Sequence, residues 1–158
     1  MGKEIERKYL VTSQSFKKNA SSAQEIRQGY LSIDEQKVVR LRTLDDKGFI
    51  TIKSKVTDFT RNEFEYEIPK DEAIEMMQTL CPGLLEKTRY VVSFEGMKWE
   101  VDEFFNENQG LILAEIELES ENQSFEKPSW LGKEVTQDYR YYNAYLSRHP
   151  FRKWGSGY

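Results

Sequence analysis

The segment KEIERKYL, residues 3–10, places Glu4, Glu6 and Lys8 at a spacing of two. Successive side chains of a β-strand point to opposite faces, so a strand here presents two carboxylates and one ammonium on a single face. Carboxylates are the ligands that hard divalent cations prefer, and lysine or arginine side chains bind phosphate oxygens. This face could therefore take part in metal-dependent phosphate chemistry. The alternative is one face of an antiparallel sheet that simply contacts water.

Charged side chains recur at the same spacing in seven of the eight predicted strands, each time opposite apolar residues. The basic strands carry Arg40 with Arg42, Lys53 with Lys55, and Lys87 with Arg89, and the acidic strands carry Glu63, Glu65 and Glu67, Glu100 with Asp102, and Glu115, Glu117 and Glu119. One sign of charge prevails on each of these strands, whereas solvated faces usually mix both signs. If the sheet curls into a barrel with this face inward, the charges converge on one axis. Buried charge clusters are costly unless they bind something, so the pattern favours a charged lumen.

Period-two alternation, interrupted by turn residues, predicts eight strands. They lie near residues 3–11, 27–33, 37–45, 48–56, 60–68, 86–95, 97–105 and 111–120. The strand at 27–33 is the exception to the charge pattern, because its Gln28, Tyr30 and Ser32 are merely polar. Helices are predicted near 13–24, 71–80 and 134–147, the middle one beginning after Pro69 with Asp71 as its cap.

Short connections between the strands, such as those at 34–35 and 95–96, indicate antiparallel pairing. Eight strands joined in this way predict a closed or nearly closed sheet. The fold class is therefore an all-β-dominated α+β protein, an eight-stranded antiparallel β-barrel whose apolar outer face is covered by helices. The length of 158 residues predicts one domain, residues 1–158.

Composition excludes several function classes. The net charge of −4 gives no overall basic field for DNA or RNA, and no apolar run is long enough to span a bilayer. Cys81 is the only cysteine and His149 the only histidine, so neither an internal disulfide nor a multi-histidine metal site can form. No glycine-rich nucleotide-binding loop of either common kind occurs in a strand–turn–helix setting. We expect a cytoplasmic protein whose chemistry uses carboxylates, lysine, arginine and tyrosine.

A charged lumen of this composition would suit a linear triphosphate. The cationic side chains are suited to phosphate oxygens, the arginines as planar forks and the lysines as point charges. The carboxylates would repel a polyphosphate directly, but they become useful when divalent cations lie between them and the phosphates. Hydrolysis then depends on charge neutralisation, alignment and a positioned water rather than on covalent chemistry by the protein.

The same residues resemble the CYTH, or triphosphate tunnel metalloenzyme, superfamily. EIERK at 4–8 matches the E-x-E-x-K signature of that superfamily. The later pieces follow in the order of the family: QGYL at 28–31, VRLR at 39–42, TIK at 51–53, EFEYEI at 63–68, EKTRY at 86–90, WEVD at 99–102, LAEIEL at 113–118 and LGKEVT at 131–136. The resemblance extends from Glu4 to about Tyr142 and implies a barrel that binds a triphosphate inside and requires Mg²⁺ or Mn²⁺.

The resemblance also implies roles for individual residues. Metal ligands would be Glu4, Glu6, Glu115 and Glu117, assisted by Asp102, and the triphosphate would be held by Lys8, Arg40, Arg42, Lys53, Lys87 and Arg89. Glu63 and Glu65 are candidates to orient the attacking water, and Tyr30 could fix the ammonium of Lys8 by a hydrogen bond. Lys87 could serve as a general base if desolvation among its cationic neighbours lowered its pKa.

The predicted function is metal-dependent hydrolysis of a linear triphosphate, inorganic tripolyphosphate in the first place and otherwise a nucleoside or thiamine triphosphate. One alternative is a class IV-type adenylyl cyclase that makes cyclic AMP from ATP, because the outcome depends on which phosphorus is aligned with the nucleophile. A second alternative is a polyphosphate- or nucleotide-binding module without turnover. The expected partner is a triphosphate-containing small molecule rather than DNA or a membrane, with a homodimer as the alternative to a monomer.

Overall fold

The computed structural model describes residues 2–34, 36–57 and 60–156. In that part of the chain the strands are β1 Gly2–Val11, β2 Ala20–Ile33, β3 Lys37–Leu44, β4 Lys47–Lys55, β5 Thr60–Ile68, β6 Leu84–Phe94, β7 Met97–Phe104, β8 Ile112–Leu118 and β9 Leu131–Glu134. The α-helices are α1 Lys70–Leu80 and α2 Asn143–Leu146, and 3₁₀ helices span Gln14–Asn19, Asn106–Asn108, Tyr139–Tyr141 and Phe151–Ser156. The turn predicted at 34–35 includes Glu35, which lies outside the described residues.

The strands form a closed antiparallel barrel in the order β5-β4-β3-β2-β6-β7-β8-β1. Pairing of β1 with β5 closes it, over a register that runs from Gly2 opposite Glu63 to Ile5 opposite Thr60. The short β9 then pairs with the end of β1, Tyr9 opposite Glu134 and Val11 opposite Leu131. The eight-stranded barrel predicted from the alternation is confirmed.

The apolar side chains of β6 to β8 form a core outside the barrel wall. Trp99 is fully buried, and its ring lies edge-to-face with those of Tyr9, Phe125 and Trp130, each at a centroid distance of 5.8 Å. Trp99 alternates along β7 with Glu100 and Asp102, so the burial of its indole turns both carboxylates toward the interior of the barrel.

The helix predicted at 71–80 is confirmed as α1, which packs on β2, β3 and β4. Its cap was predicted wrongly, because the N-cap residue is Pro69 rather than Asp71. Pro69 has the extended backbone ψ of 136°, so the first helical residue is Lys70. Asp71 instead lies in the first turn, where its side chain accepts a hydrogen bond from the Glu72 amide.

The helices predicted at 13–24 and 134–147 are wrong. The first is a 3₁₀ turn, Gln14–Asn19, and residues from Ala20 onward extend β2, since they pair in register with β6 from Val92. In the first region strand pairing overrides the local helical preference. The second region contains only a 3₁₀ turn, Tyr139–Tyr141, and the single turn of α2 after β9 ends at Glu134. No helix in the described part of the chain is long and apolar enough to cross a membrane.

The sequence predicted that helices would cover the apolar outer face of the barrel. In the structure the helices leave part of that face exposed. On β4 and β5, Ile52, Phe64 and Tyr66 are exposed at 38%, 45% and 52%. Ile52 and Phe64 are opposite each other in register, so they form one apolar surface beyond the edge of α1. The alternation predicted that these side chains point outward but could not predict what packs on them.

The segment after β9 is held against one end of the barrel at Gly83. A Cβ atom at this position would lie 2.0 Å from the carbonyl oxygen of Ser147, the residue after α2. We therefore expect Gly83→Ala to lower the free energy of unfolding by about 1–3 kcal/mol, because the segment must move away. Urea-induced unfolding monitored by tryptophan fluorescence measures the effect. An unchanged midpoint would show that this contact does not hold the segment in place.

Candidate active site

A cavity of about 970 Å³ lies inside the barrel. Twelve of the residues predicted from the sequence line it, namely Glu4, Glu6, Lys8, Tyr30, Arg40, Arg42, Lys53, Glu63, Glu65, Lys87, Arg89 and Glu115. The volume is near the upper end of the roughly 300–1,000 Å³ that is typical of small-molecule sites. The other two predicted residues are not among the residues that line the cavity. Asp102 is buried, with 3% of its surface exposed, and Glu117 is exposed.

Carboxylates and cations of the lumen form ion pairs between different strands of the barrel. Lys53 Nζ lies 2.9 Å from Glu4 Oε1 and 3.5 Å from Glu63 Oε2. On the next rung, Arg40 is 3.5 Å from Glu65, and the Thr51 hydroxyl accepts from Arg40 and donates to Glu65. The opposed walls of charge therefore neutralise each other when no ligand is considered.

Asp102 is the centre of the most buried ion cluster. Its carboxylate accepts two hydrogen bonds from Arg89, at 2.8 and 2.9 Å, and lies 2.8 Å from Lys87 Nζ. Burial alone would raise the pKa of Asp102, but Arg89 and Lys87 outweigh it and hold that pKa well below its ordinary value. Burial lowers the pKa of Lys87 to about 7 even though Asp102 opposes the shift. Asp102 thus fixes two cations that line the cavity.

Glu6 and Glu115 are neighbouring buried carboxylates whose pKa values are shifted in opposite directions. Burial, followed by the charge of Glu115, raises the pKa of Glu6 to about 8. Burial would also raise the pKa of Glu115, but Lys8 and Arg89 lower it below the ordinary range. Burial and the charges of Glu4 and Glu63 raise the pKa of Glu117 as well. The raised pKa values of Glu6 and Glu117 show that their ionised forms are disfavoured in this site, and a bound cation would favour those forms.

Arg42 differs in its hydrogen-bond partner from the five other cations that were predicted to hold the triphosphate. Among residues 2–34, 36–57 and 60–156 no carboxylate forms a salt bridge with it, and its guanidinium donates from Nε and Nη2 to the side-chain oxygen of Gln28 at 3.2 and 3.0 Å. Burial, then repulsion from Arg40 and Arg89, lowers the pKa of Arg42 to about 9. A positive group held in this state favours the approach of an anion.

The irregular segment after β9 supplies neutral groups to the same cavity. Lys8 Nζ donates to the carbonyl oxygen of Tyr141 at 3.2 Å and lies 3.6 Å from Glu115. The ring of Tyr142 is 5.4 Å from both the Lys8 ammonium and the Arg61 guanidinium. The predicted hydrogen bond between Tyr30 and Lys8 is not seen in the described residues, because the Tyr30 hydroxyl accepts from Gln28 at 2.9 Å.

Among the polar residues that line or support the cavity, four were assigned no role from the sequence, namely Gln28, Thr51, Glu100 and Asn143. Thr51 and Glu100 lie at lumen-facing positions of the alternation, which is a usable signal, and Glu100 is 3.5 Å from Arg89. Gln28 also had the correct position but was assigned no role because it is uncharged. Asn143 follows an irregular turn, so no periodic pattern could have placed it.

The fold and the lumen together define a class of protein, a closed antiparallel barrel whose interior is built for a polyanion and cations. A family model for the CYTH domain matches residues 2–147. The chain is 49% identical over 153 residues to an inorganic triphosphatase of Acetivibrio thermocellus, with 96% of this chain and 97% of that protein covered. The protein belongs to the CYTH family.

Two further relatives agree with this assignment. An inorganic triphosphatase of Nitrosomonas europaea is 38% identical over 149 residues, with 91% of this chain and 96% of that protein covered. The crystal structure of an inorganic triphosphatase superposes with a TM-score of 0.66 at 34% identity, over 91% of this chain and 93% of that chain.

Membership of the family implies a divalent metal ion, and the donor set fits one. Within the described ranges no three acidic, histidine or cysteine side chains are arranged to hold a metal as they stand. The reason is local, since Glu4 is bound by Lys53 and Glu115 is paired with Lys8. Burial and the charge of Glu115 suppress the ionisation of Glu6, and the oxygen donors of this wall are of the kind that Mg²⁺ and Mn²⁺ prefer.

Proposed function

We propose that this protein hydrolyses a linear triphosphate, inorganic tripolyphosphate in particular, and releases orthophosphate. The observation that carries the proposal is the charged cavity inside the barrel. Five of the six cations that were predicted to hold the triphosphate form ion pairs with carboxylates there, and the sixth, Arg42, donates to the amide of Gln28. A site for a metal-bound polyanion requires such ion pairs, because its buried charges must be compensated when no ligand is bound. The two relatives named inorganic triphosphatase support the same substrate.

In the proposed site the cations hold the three phosphates and the acidic wall holds the metal. We assign the metal to Glu4, Glu6, Glu115 and Glu117, with Asp102 acting through Lys87 and Arg89. Bound Mg²⁺ or Mn²⁺ would neutralise phosphate charge and polarise the terminal phosphoryl group. The triphosphate grip consists of Lys8, Arg40, Arg42, Lys53, Lys87 and Arg89, whose mixture of forks and point charges suits phosphate oxygens.

Glu63 and Glu65 are proposed to orient the attacking water. The water oxygen attacks the terminal phosphorus, the bond from that phosphorus to the bridging oxygen breaks, and diphosphate leaves with the bonding electrons. Lys87 has a pKa of about 7 in the ligand-free site, so it can accept a proton near neutral pH. Little covalent chemistry is required of the protein, and alignment in the cavity supplies much of the effect.

The test is a substrate panel with purified protein, comparing phosphate release from tripolyphosphate, ATP and thiamine triphosphate with cyclic AMP formation from ATP. We expect tripolyphosphate to yield orthophosphate and diphosphate in equal amounts with Mg²⁺, and the reaction to stop when EDTA removes the metal. Cyclic AMP as the main product would replace the proposal with a cyclase. Tight binding of tripolyphosphate without any product would replace it with a binding module.

We further propose that the chain acts as one domain, residues 1–158, in the cytoplasm. Strands from Gly2 to Glu134 share one sheet, which supports a single unit. The single cysteine, Cys81, is compatible with a reducing compartment.

A further inference from the structure

Two neutral side chains, Gln28 of β2 and Asn143 of α2, connect Arg42 with Lys87. Arg42 donates twice to Gln28 Oε1, and Gln28 Nε2 donates to Asn143 Oδ1 at 3.3 Å. The same Asn143 oxygen accepts from Lys87 Nζ at 2.7 Å. The two amides therefore form a continuous bridge between two cations that the proposed function assigns to the triphosphate.

The orientation of both amides follows from the groups at the two ends of the bridge. Arg42 and Lys87 can only donate, so each must face an amide oxygen. Gln28 Oε1 therefore faces Arg42, and its Nε2 is left to donate to Tyr30 at 2.9 Å and to Asn143. Gln28 is 0% exposed and uses two acceptor and two donor positions, so every hydrogen-bonding capacity of its side chain is filled. The Gln28 amide is therefore held in a single orientation.

The backbone of Asn143 is also held in place by its neighbours in the fold. It begins α2, which continues into Leu146 with 0% exposure, and the carbonyl of Ser147 lies against Gly83 at the start of β6. Lys87 lies four residues after Gly83, within β6. The end of the bridge is therefore tied to the same strand that carries its cation.

The neutrality of the bridge is the important property. A carboxylate in place of either amide could still accept from its cation, but it would add a negative charge beside Arg42, or a second one beside Lys87, which already lies 2.8 Å from Asp102. An amide oxygen accepts from the N–H groups and adds no negative charge to the site. We propose, on the basis of the function proposed above, that Gln28 and Asn143 are positioning residues that hold Arg42 and Lys87 in place for the triphosphate without adding negative charge beside them.

The test replaces each amide with its isosteric carboxylate, Gln28→Glu and Asn143→Asp. Binding of inorganic tripolyphosphate is measured by calorimetry in EDTA, so that no metal and no turnover are involved. We expect the Kd to rise by about tenfold or more for each variant, since a charge-assisted contact with phosphate is lost to an internal ion pair. In the Mg²⁺-dependent assay KM should rise by a similar factor while kcat changes by only about twofold to threefold.

Gln14→Glu is the matched control. Gln14 is exposed and lies outside the cavity lining, so the same chemical change there should leave the Kd unchanged. Gln28→Met removes the hydrogen bonds without adding charge, and it should weaken binding less than Gln28→Glu does. Thermal unfolding of each variant shows whether it is folded. If Gln28→Glu does not fold, Asn143→Asp, which is partly exposed, decides the question.

The outcomes separate this inference from the proposed function. Wild-type protein that binds tripolyphosphate without hydrolysing it, together with weak binding by the carboxylate variants, would support the bridge and overturn the hydrolase. Hydrolysis by the wild type with unchanged Kd in folded Asn143→Asp and Gln28→Glu would overturn the bridge alone. A wild type that does not bind tripolyphosphate would overturn both.

Discussion

Glu6→Gln is expected to lower metal-dependent phosphate release from tripolyphosphate by more than about 100-fold, because loss of even an outer-shell partner of a metal site costs roughly 10–100-fold. Glu6 lies on β1 inside the barrel, where burial and Glu115 raise its pKa to about 8. Glu6 and Glu115 would help to hold the divalent ion, and a carboxylate must be ionised to do so. The amide keeps the shape of the side chain but cannot bear the charge that the ion needs.

The fold should survive this substitution. A folded-state pKa that is raised above its ordinary value means that ionised Glu6 destabilises the metal-free protein as the pH rises through about 8. Glu6→Gln removes that penalty, so in EDTA at pH 9 the variant should unfold at a temperature equal to or above that of the wild type. Glu119→Gln, at an exposed acid beyond the end of β8, is the control and should retain full activity. Activity of Glu6→Gln within threefold of the wild type would remove the metal assignment.

Asp102→Asn is expected to lower the free energy of unfolding by about 3–5 kcal/mol, the usual cost of removing one partner from a buried ion pair. The change leaves Lys87 and Arg89 without their shared carboxylate, and the side chains of Lys87 and Asp102 are only 1% and 5% exposed. Chemical denaturation at pH 7 in EDTA measures the loss. Asp138→Asn is the matched control, because Asp138 forms a comparable two-point contact with Arg140 at the surface and should cost less than about 1 kcal/mol.

The dependence on pH gives the second readout for Asp102. Because its folded-state pKa is lowered, its contribution to stability is present above the ordinary Asp pKa of about 3.9 and is lost as the pH falls toward the folded-state value. The difference in stability between wild type and Asp102→Asn should therefore shrink in acid. A difference below about 1 kcal/mol at pH 7 would show that water or relaxation already solvates the two cations.

Much of the barrel and its charged lining could be predicted because strand periodicity is a strong signal. Glu4, Arg42 and Glu115 were placed on the lumen face by alternation alone, and the structure puts them in one cavity. Boundaries depended on partners that alternation does not encode. Residues 20–24 were predicted as part of a helix, yet they belong to β2 because β6 pairs with them along that length.

The end of the barrel formed by the segment after β9 could not be predicted. The helix predicted at 134–147 would include the tyrosines at 139, 141 and 142, but Tyr139 is 60% exposed and the ring of Tyr142 lies 5.4 Å from the Lys8 ammonium and from the Arg61 guanidinium. Neither Asn143 nor the carbonyl of Tyr141 has a sequence signal, since backbone groups and single amides show no period. Their role in the site depends on where an irregular segment docks, which only the tertiary structure provides.

Closure of the barrel by β1 has a consequence for biosynthesis. The first strand to leave the ribosome finds its neighbours only in β5, β8 and β9, which follow it by more than 50 residues. Contacts of such long sequence separation form slowly. The pairing of Glu6 and Lys8 with β8 therefore forms only after residues 115–117 have been synthesised, so a nascent chain that stalls before β8 contains β1–β7 but lacks the strand between β7 and β1 that completes the barrel.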